Sequence, residues 1–315
     1  MISIIKQRNI WFTISGIMVV CSLAVFIFIG LNLGIDFNGG SLLEIEFSIP
    51  RPSNQQINEV LTPLEIGEVV AQPIGDNGMI LRFKDVDENT HQQILKTLKE
   101  KFKPEDKVVN TEQGELKLQV QVLEEKRFDS IGPTIGQELK EKTVWAILIV
   151  LVAIIIYVAW AFRKVSKPIA SWKYGIIAVI ALFHDIIITI GIFVLLGKFY
   201  NIEVNATFVA ALLTILGYSV NDTIVVFDRT RENLTRHLGE DFEEIVQTSV
   251  NEVITRSINT SFTTLIVLFT ILLFGGQSIR DFILALIIGV AIGTYSSIFL
   301  ASPLLVAWEK LRLKR

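Results

Sequence analysis

Six long apolar runs divide this chain, and no other feature limits its fold so tightly. They cover residues 10–31, 142–162, 174–196, 204–227, 257–274 and 282–308. A helix needs about 20 apolar residues to cross a hydrocarbon core roughly 30 Å thick, so each run predicts one membrane span. Composition agrees: the 315 residues are 51% hydrophobic and 19% charged, and the mean hydropathy is +0.52. These values predict an integral membrane protein in contact with the lipid bilayer. A net charge of -3 provides no basic field for nucleic acid. The single cysteine, Cys21, lies in an apolar run and cannot close an internal disulfide. The first run exceeds the roughly 7–15 residues of a signal-peptide core, and the LNLGIDFNGG that follows lacks a small-residue cleavage pattern, so it reads as a retained anchor.

Lysines and arginines predict the orientation. Lys6 and Arg8 precede the first span, and Arg163, Lys164, Lys167 and Lys173 lie between the second and third. Arg229, Arg231, Arg236 and Arg256 lie between the fourth and fifth, and Lys310, Arg312, Lys314 and Arg315 follow the sixth. With six spans all of these fall on one side, which the positive-inside rule makes cytoplasmic, and both termini go with it. Trp11, Trp145, Trp160, Trp172 and Trp308 fall near span ends, as an interfacial belt requires.

The sequence therefore divides into an N-terminal segment with the first span (1–33), an extracytoplasmic domain (34–141), and spans two to six with a cytoplasmic C-terminus (142–315). In the middle segment, SLLEIEF (41–47) alternates as a strand, and SNQQINEVLTPL (53–64) has a serine cap and helical spacing. GEVVAQPI (67–74) and MILRFKD (79–85) flank the turn Gly75-Asp76-Asn77-Gly78. DENTHQQILKTLKEKF (87–102) is amphipathic, and ELKLQVQVLEEKRF (115–128) alternates again. The order β-α-β-β-α-β predicts a ferredoxin-like α+β domain. His91, on the polar-rich second helix with no histidine or cysteine near it, reads as a solvated surface residue.

Ionisable groups at membrane depth are costly, about 2.5–3.5 kcal/mol for a central charge on the insertion scale, and mark functional positions. Three sets stand out: His184-Asp185 in the third span, Asn221-Asp222 in the fourth, and Arg256 at the start of the fifth. At about 1.5 Å per residue, Asp222 lies about 27 Å from Val204, and Arg256 lies about 28 Å from Gly275 on an oppositely running helix. The matching depths make an Asp222–Arg256 pair available, which protonation of Asp222 would release. Polar neighbours, among them Ser219, Thr223, Ser257 and Ser261, suit either a water path or hydrogen-bonded helix packing. For His184 and Asp185 both relay and packing roles stay open. Asp228, with Arg229 and Arg231 beside it, reads as a solvated helix end, and Ala285, Gly289, Gly293, Ser297 and Ala301 form a small packing face on the sixth span.

No phosphate-binding loop, haem-attachment motif, zinc HExxH or G-x-S-x-G nucleophile frame occurs, so the reading is a non-enzyme without metal or cofactor. Four stretches do carry a resemblance: GIDFNGGSLLEIEF (34–47), IGPTIGQEL (131–139), ALFHD (181–185) and GYSVNDTIVVFDRTREN (217–233). In order and spacing they resemble the SecD/SecF family of the RND superfamily, and the N-D-T triplet at 221–223 matches the SecF branch rather than the D-A-N typical of SecD.

The resemblance implies a six-span subunit that pairs with SecD in the cytoplasmic membrane and assists the SecYEG translocon and the ATPase SecA in late stages of export. Proton flow would move the extracytoplasmic domain that holds the emerging unfolded polypeptide. By position it makes Asp222 the proton-responsive carboxylate and Arg256 its partner, with His184, Asp185, Asn221 and Thr223 as supporting relay or packing groups. Gly34, Gly39, Gly40, Gly132, Pro133 and Gly136 would serve as hinge and turn positions between domain and spans. The alternative is an RND-type small-molecule/proton antiporter subunit, and a third reading is a purely structural subunit.

Overall fold

The computed structural model describes residues 3–48, 50–102, 107–111, 114–118, 123–163, 170–236, 239–276 and 279–313. Lys164, Lys167, Lys314 and Arg315, used above for orientation, lie outside the described residues. The chain forms two compact units, residues 33–141, and residues 1–32 together with 142–315.

The first of these units is built on β1 (Gly40–Phe47), α3 (Asn54–Leu61), β2 (Val70–Ile74), β3 (Gly78–Phe83), α4 (Glu88–Lys101) and β6 (Leu123–Ile131). Its antiparallel sheet has the order β2-β3-β1-β6, the ferredoxin-like arrangement expected from the β-α-β-β-α-β pattern. Local chemistry starts each helix. Ser53 and Gln56 close a capping box before α3, and the Asp87 carboxylate accepts from Thr90 N at the start of α4. Alternation then aims Leu43, Ile45 and Phe47 of β1 at Met79, Leu81, Ile94 and Leu98, all buried in one core. Each such side chain contributes about 1.5–3 kcal/mol by leaving water.

Two expectations change here. The last alternating stretch, 115–128, contributes to two sheets, and its residues 119–122 lie outside the described residues. Its first part, β5 (Gly114–Leu118), pairs with β4 (Lys107–Thr111) in a separate two-stranded sheet, and β6 joins the larger one. Alternation reports pleating but not the pairing partner.

His91 is the second change. It is 3% exposed rather than solvated, its ring lies flat on Phe128 with centroids 3.7 Å apart, and its Nδ1 and Nε2 face Glu88 and Glu125 at 3.2 Å each. A β-bulge makes this possible. The β1–β6 register slips between Glu44 and Ile45, opposing them to Arg127 and Glu125, so Lys126 is the extra residue. The slip lets Glu125 and Phe128, three positions apart, both face α4.

The connectors are ordered elements. α2 (Ile35–Asn38) fills the first, and α5 (Pro133–Ala161) starts within the second, with proline at its first turn. Gly39 (φ +74°) and Gly136 are close-approach positions between the two: a Cβ on Gly39 would lie 2.9 Å from Pro133 Cα, and one on Gly136 would lie 3.0 Å from Phe37 O. Gly39 and Gly136 thus let these two backbones approach closely, whereas nothing lies within 4 Å of a Cβ on Gly132.

The membrane unit contains α1 (Arg8–Ile29), α5, α6 (Ser171–Tyr200), α7 (Ala206–Arg236), α8 (Phe242–Phe274), α9 (Arg280–Ser296) and α10 (Ser302–Leu313). Among the described residues, six helical stretches are long and apolar enough to cross a membrane, α9 and α10 counting as one. Half or more of the apolar window is buried in α6, α7 and α9–α10, against under a fifth in α1, α5 and α8. The small face of α9 packs inside the chain on α7: a Cβ on Gly293 would sit 2.9 Å from Ser219 Cβ, and one on Gly289 would collide with Ile215.

α7 and α8 outrun their apolar windows. Beyond them Arg229 Nε donates to Glu252 at 2.6 Å, and Asn233 Nδ2 donates to Ser249 at 3.0 Å and Glu252 at 2.7 Å. Between α9 and α10 the chain makes a π-turn, Ser297–Ala301. Pro303 lacks the N–H that would meet the carbonyl four residues back, and a widened turn relieves its clash with it.

Candidate proton-coupling site

Helices α6, α7, α8 and α9 bring polar side chains together in the middle of the membrane unit. On α7 three consecutive residues diverge at 100° per residue. Asn221 is exposed, Asp222 is buried against α8, and Thr223 is buried against the π-turn. Asp222 Oδ1 accepts from Ser257 Oγ at 2.6 Å, while Oδ2 is buried without a hydrogen-bond partner. Thr223 Oγ1 and Ser297 Oγ lie 2.8 Å apart, and Ser297 Oγ also donates to Gly293 O at 2.9 Å.

The direct Asp222–Arg256 ion pair made available by matching depth is not closed. Arg256 is exposed, and the next residue, Ser257, is the one that reaches Asp222. Depth sets which turn of α8 faces Asp222, and the helical step sets which side chain on that turn points inward.

His184 and Asp185, both buried, sit near the midpoint of α6. Asp185 Oδ1 meets His184 Nδ1 at 2.9 Å, and Oδ2 accepts from Ser219 Oγ of α7 at 2.6 Å and from Ser296 Oγ of α9 at 2.8 Å. Next to Ser219 and one turn before Asp222, Tyr218 OH donates to Ser261 Oγ at 3.3 Å, and Thr294 Oγ1 donates to the same serine at 2.5 Å. The structure therefore groups Asp222 with Ser257, Asp185 with His184, Ser219 and Ser296, and Thr223 with Ser297. Asn221 and Arg256 stand outside these contacts. Asp228 is exposed and meets Arg231 at 3.5 Å.

Ser296 and Tyr295 were not singled out from the sequence, and Ser297 read only as a packing position. The signal was the pair Ser296-Ser297 one turn after Gly293, where close helix approach puts a short hydroxyl within reach of a neighbour's carboxylate.

Residues 112–311 match the family described as "Protein export membrane protein SecD/SecF, C-terminal", and residues 24–48 match the "SecD/SecF GG Motif". A protein translocase subunit SecF of Thermobaculum terrenum is 40% identical over 321 residues, 98% of this chain and 94% of that one. The chain belongs to the SecD/SecF family. A second SecF, from Anaerolinea thermophila, is 37% identical over 98% of this chain and 94% of its own. A crystal structure of SecDF from Thermus thermophilus, described as a translocon-associated membrane protein, superposes with a TM-score of 0.77 at 29% identity. That match covers 97% of this chain but only 38% of the SecDF chain. The SecD/SecF motif at 24–48 contains Gly39 and Gly40, whose backbones meet Pro133 and Phe83. The C-terminal match contains both carboxylate groupings.

Proposed function

We propose that the chain is an auxiliary subunit of the Sec protein-export machinery that, with SecD, uses the proton motive force in late stages of preprotein translocation across the cytoplasmic membrane. One observation carries the reading: Asp222 is a buried carboxylate in a membrane-spanning helix, with one oxygen held by Ser257 and the other without a partner. A carboxylate so placed has room to take a proton on Oδ2, and its loss of charge favours a different α7–α8 arrangement. A proton moving down the membrane potential releases about 2.3 kcal/mol per 100 mV, enough to bias such an equilibrium.

In this reading residues 34–141 form the extracytoplasmic domain that meets the unfolded exported polypeptide. Residues 1–33 and 142–315 are membrane-embedded with both termini cytoplasmic. SecD is the partner in a heterodimer, and SecYEG, together with the ATPase SecA, is the machinery served. Arg256, one residue from Ser257, is a cation for the opened or partner-bound state. His184, Asp185, Asn221 and Thr223 support the site.

Asp222→Asn is the deciding variant. Proton-gradient-driven export in membrane vesicles falls at least about tenfold, Asp222→Glu retains part of it, and the ATP-driven early step is unchanged. Unaltered gradient-driven export by Asp222→Asn would remove the coupling role.

A further inference from the structure

Asp185 is a buried carboxylate with both oxygens occupied. It is fully buried, it accepts from three donors on three helices, and no lysine or arginine meets it among the described residues. Three donors suit an ionised carboxylate, which is acceptor-only. Taking that charge from water is costly unless a cation accompanies it. Among the described residues, the side chain placed to become that cation is His184. Its Nδ1 faces Asp185 at 2.9 Å, and its Nε2 is buried without a hydrogen-bond partner. The Tyr295 ring lies over the imidazole, centroids 6.1 Å apart at 24°, and the Tyr295 hydroxyl meets Ser15 Oγ of α1 at 3.1 Å. The ring is therefore seated between elements rather than free to turn.

The geometry points to the His184–Asp185 pair as a second proton-binding site of this subunit, separate from Asp222 and loaded at His184 Nε2. This inference rests on the proton-coupling reading. The step is a simple transfer: hydronium gives its proton to Nε2, an N–H bond forms, water is released, and the pair passes from net charge −1 to zero. Few of the other titratable groups on the packed helices lie close. On α7 the nearest are Tyr218 and Asp222, flanking Ser219, and on α9 Tyr295, while Asp228, Arg229, Arg231, Glu232 and Arg236 of α7 and Arg280 and Asp281 of α9 lie at the far helix ends. Tyr157 of α5 and Cys21 of α1 are exposed. Arg8 of α1 and Lys310 of α10 are bound to Glu243, and Glu309 is buried near the C-terminal end of α10. Loading weakens the pull of Asp185 on Ser219 and Ser296, and so loosens α6 from α7 and α9. Ser219 lies one turn from Asp222 on α7, so the two sites bias the same helix.

The test is 15N NMR of histidine-labelled full-length chain with its partner subunit in lipid nanodiscs, with His184→Gln assigning the ring signals. Between about pH 9 and about pH 5 the His184 nitrogens convert from the neutral to the cationic form. Asp185→Asn lowers the pH of half-conversion by at least about one unit, because the counter-charge is gone. The double variant Ser219→Ala/Ser296→Ala raises it, because the carboxylate loses donors that stabilise its charge, and this arm stands if Asp185→Asn does not fold. Opposite shifts are not produced by a packing role. A His184 ring that stays neutral throughout, or that is unmoved by the serine variants, would overturn the proposal. The readout needs no export, so failure of the coupling reading in Asp222→Asn and failure of this site are seen separately.

Discussion

Gly39 is held where no other residue fits without strain. Its φ is +74°, and an added Cβ would meet Pro133 Cα at 2.9 Å and Pro133 N at 3.0 Å, both backbone atoms that cannot swing aside. Gly39→Ala is therefore expected to destabilise the unit of residues 33–141 by on the order of 1–3 kcal/mol. Gly16→Ala is the matched control, since nothing lies within 4 Å of its Cβ and the residue is inside a helix, where alanine is favoured. Thermal unfolding of the purified chain separates them: a lower midpoint for the first and none for the second. The sequence revealed a glycine pair after the first span, and glycine there is legible as a turn. That its partner would be the proline opening α5, 94 positions on, is a tertiary fact that no local pattern encodes. The same limit applies to Asp222: its burial was legible from hydropathy, its hydroxyl donor Ser257 only from the facing of α8.

Helix α4 shows what sequence alone carries at the scale of an element and where it stops. Its start is local, because the Asp87 carboxylate accepts from Thr90, and that bond holds the carboxyl below its ordinary value. Glu88 is also held low, chiefly by Gln92 and then by His91. A carboxylate whose folded value is depressed stabilises the folded state above its unfolded value, about 3.9 for aspartate, and that contribution is lost as pH falls through the lower folded value. Acid should then fray the first turn of α4 before the rest of the unit. Hydrogen exchange of amides in residues 88–92 of the full chain should accelerate as pH falls below about 4, the unfolded aspartate value, after correction for intrinsic rates. Asp87→Asn retains a capping acceptor without a charge, so it should remove most of that pH dependence while leaving the helix in place. The apolar stripe of α4 was equally legible. The fate of His91 was not, because its burial depends on the Lys126 bulge that turns both Glu125 and Phe128 toward the helix. A bulge is a pairing irregularity between two strands and has no signature in the alternation of either one.

At the scale of the whole chain, the apolar runs marked every span but not where each helix ends. Hydropathy ends where the bilayer does, whereas α7 and α8 run on to Arg236 and begin at Phe242, held by Arg229, Glu252 and Asn233. Such charged helix ends belong in water, and their arginines should stay cytoplasmic by the positive-inside rule. The proposed orientation turns on this, and the lone native cysteine makes it testable. With Cys21→Ser as background, Glu240→Cys reports on the turn between α7 and α8, and Asn77→Cys reports on the exposed β2–β3 turn. With six spans and the arginine-rich side inward, a membrane-impermeant maleimide added to spheroplasts should label the cysteine at 77 and not the one at 240. Inverted vesicles should reverse the pattern, because the reagent does not cross the bilayer and the protein does not flip within it. Labelling of the cysteine at 240 from outside would contradict the orientation. It would put the Arg229–Glu252 cluster on the proton-entry side, and the path to Asp222 would then run in the opposite sense along α7.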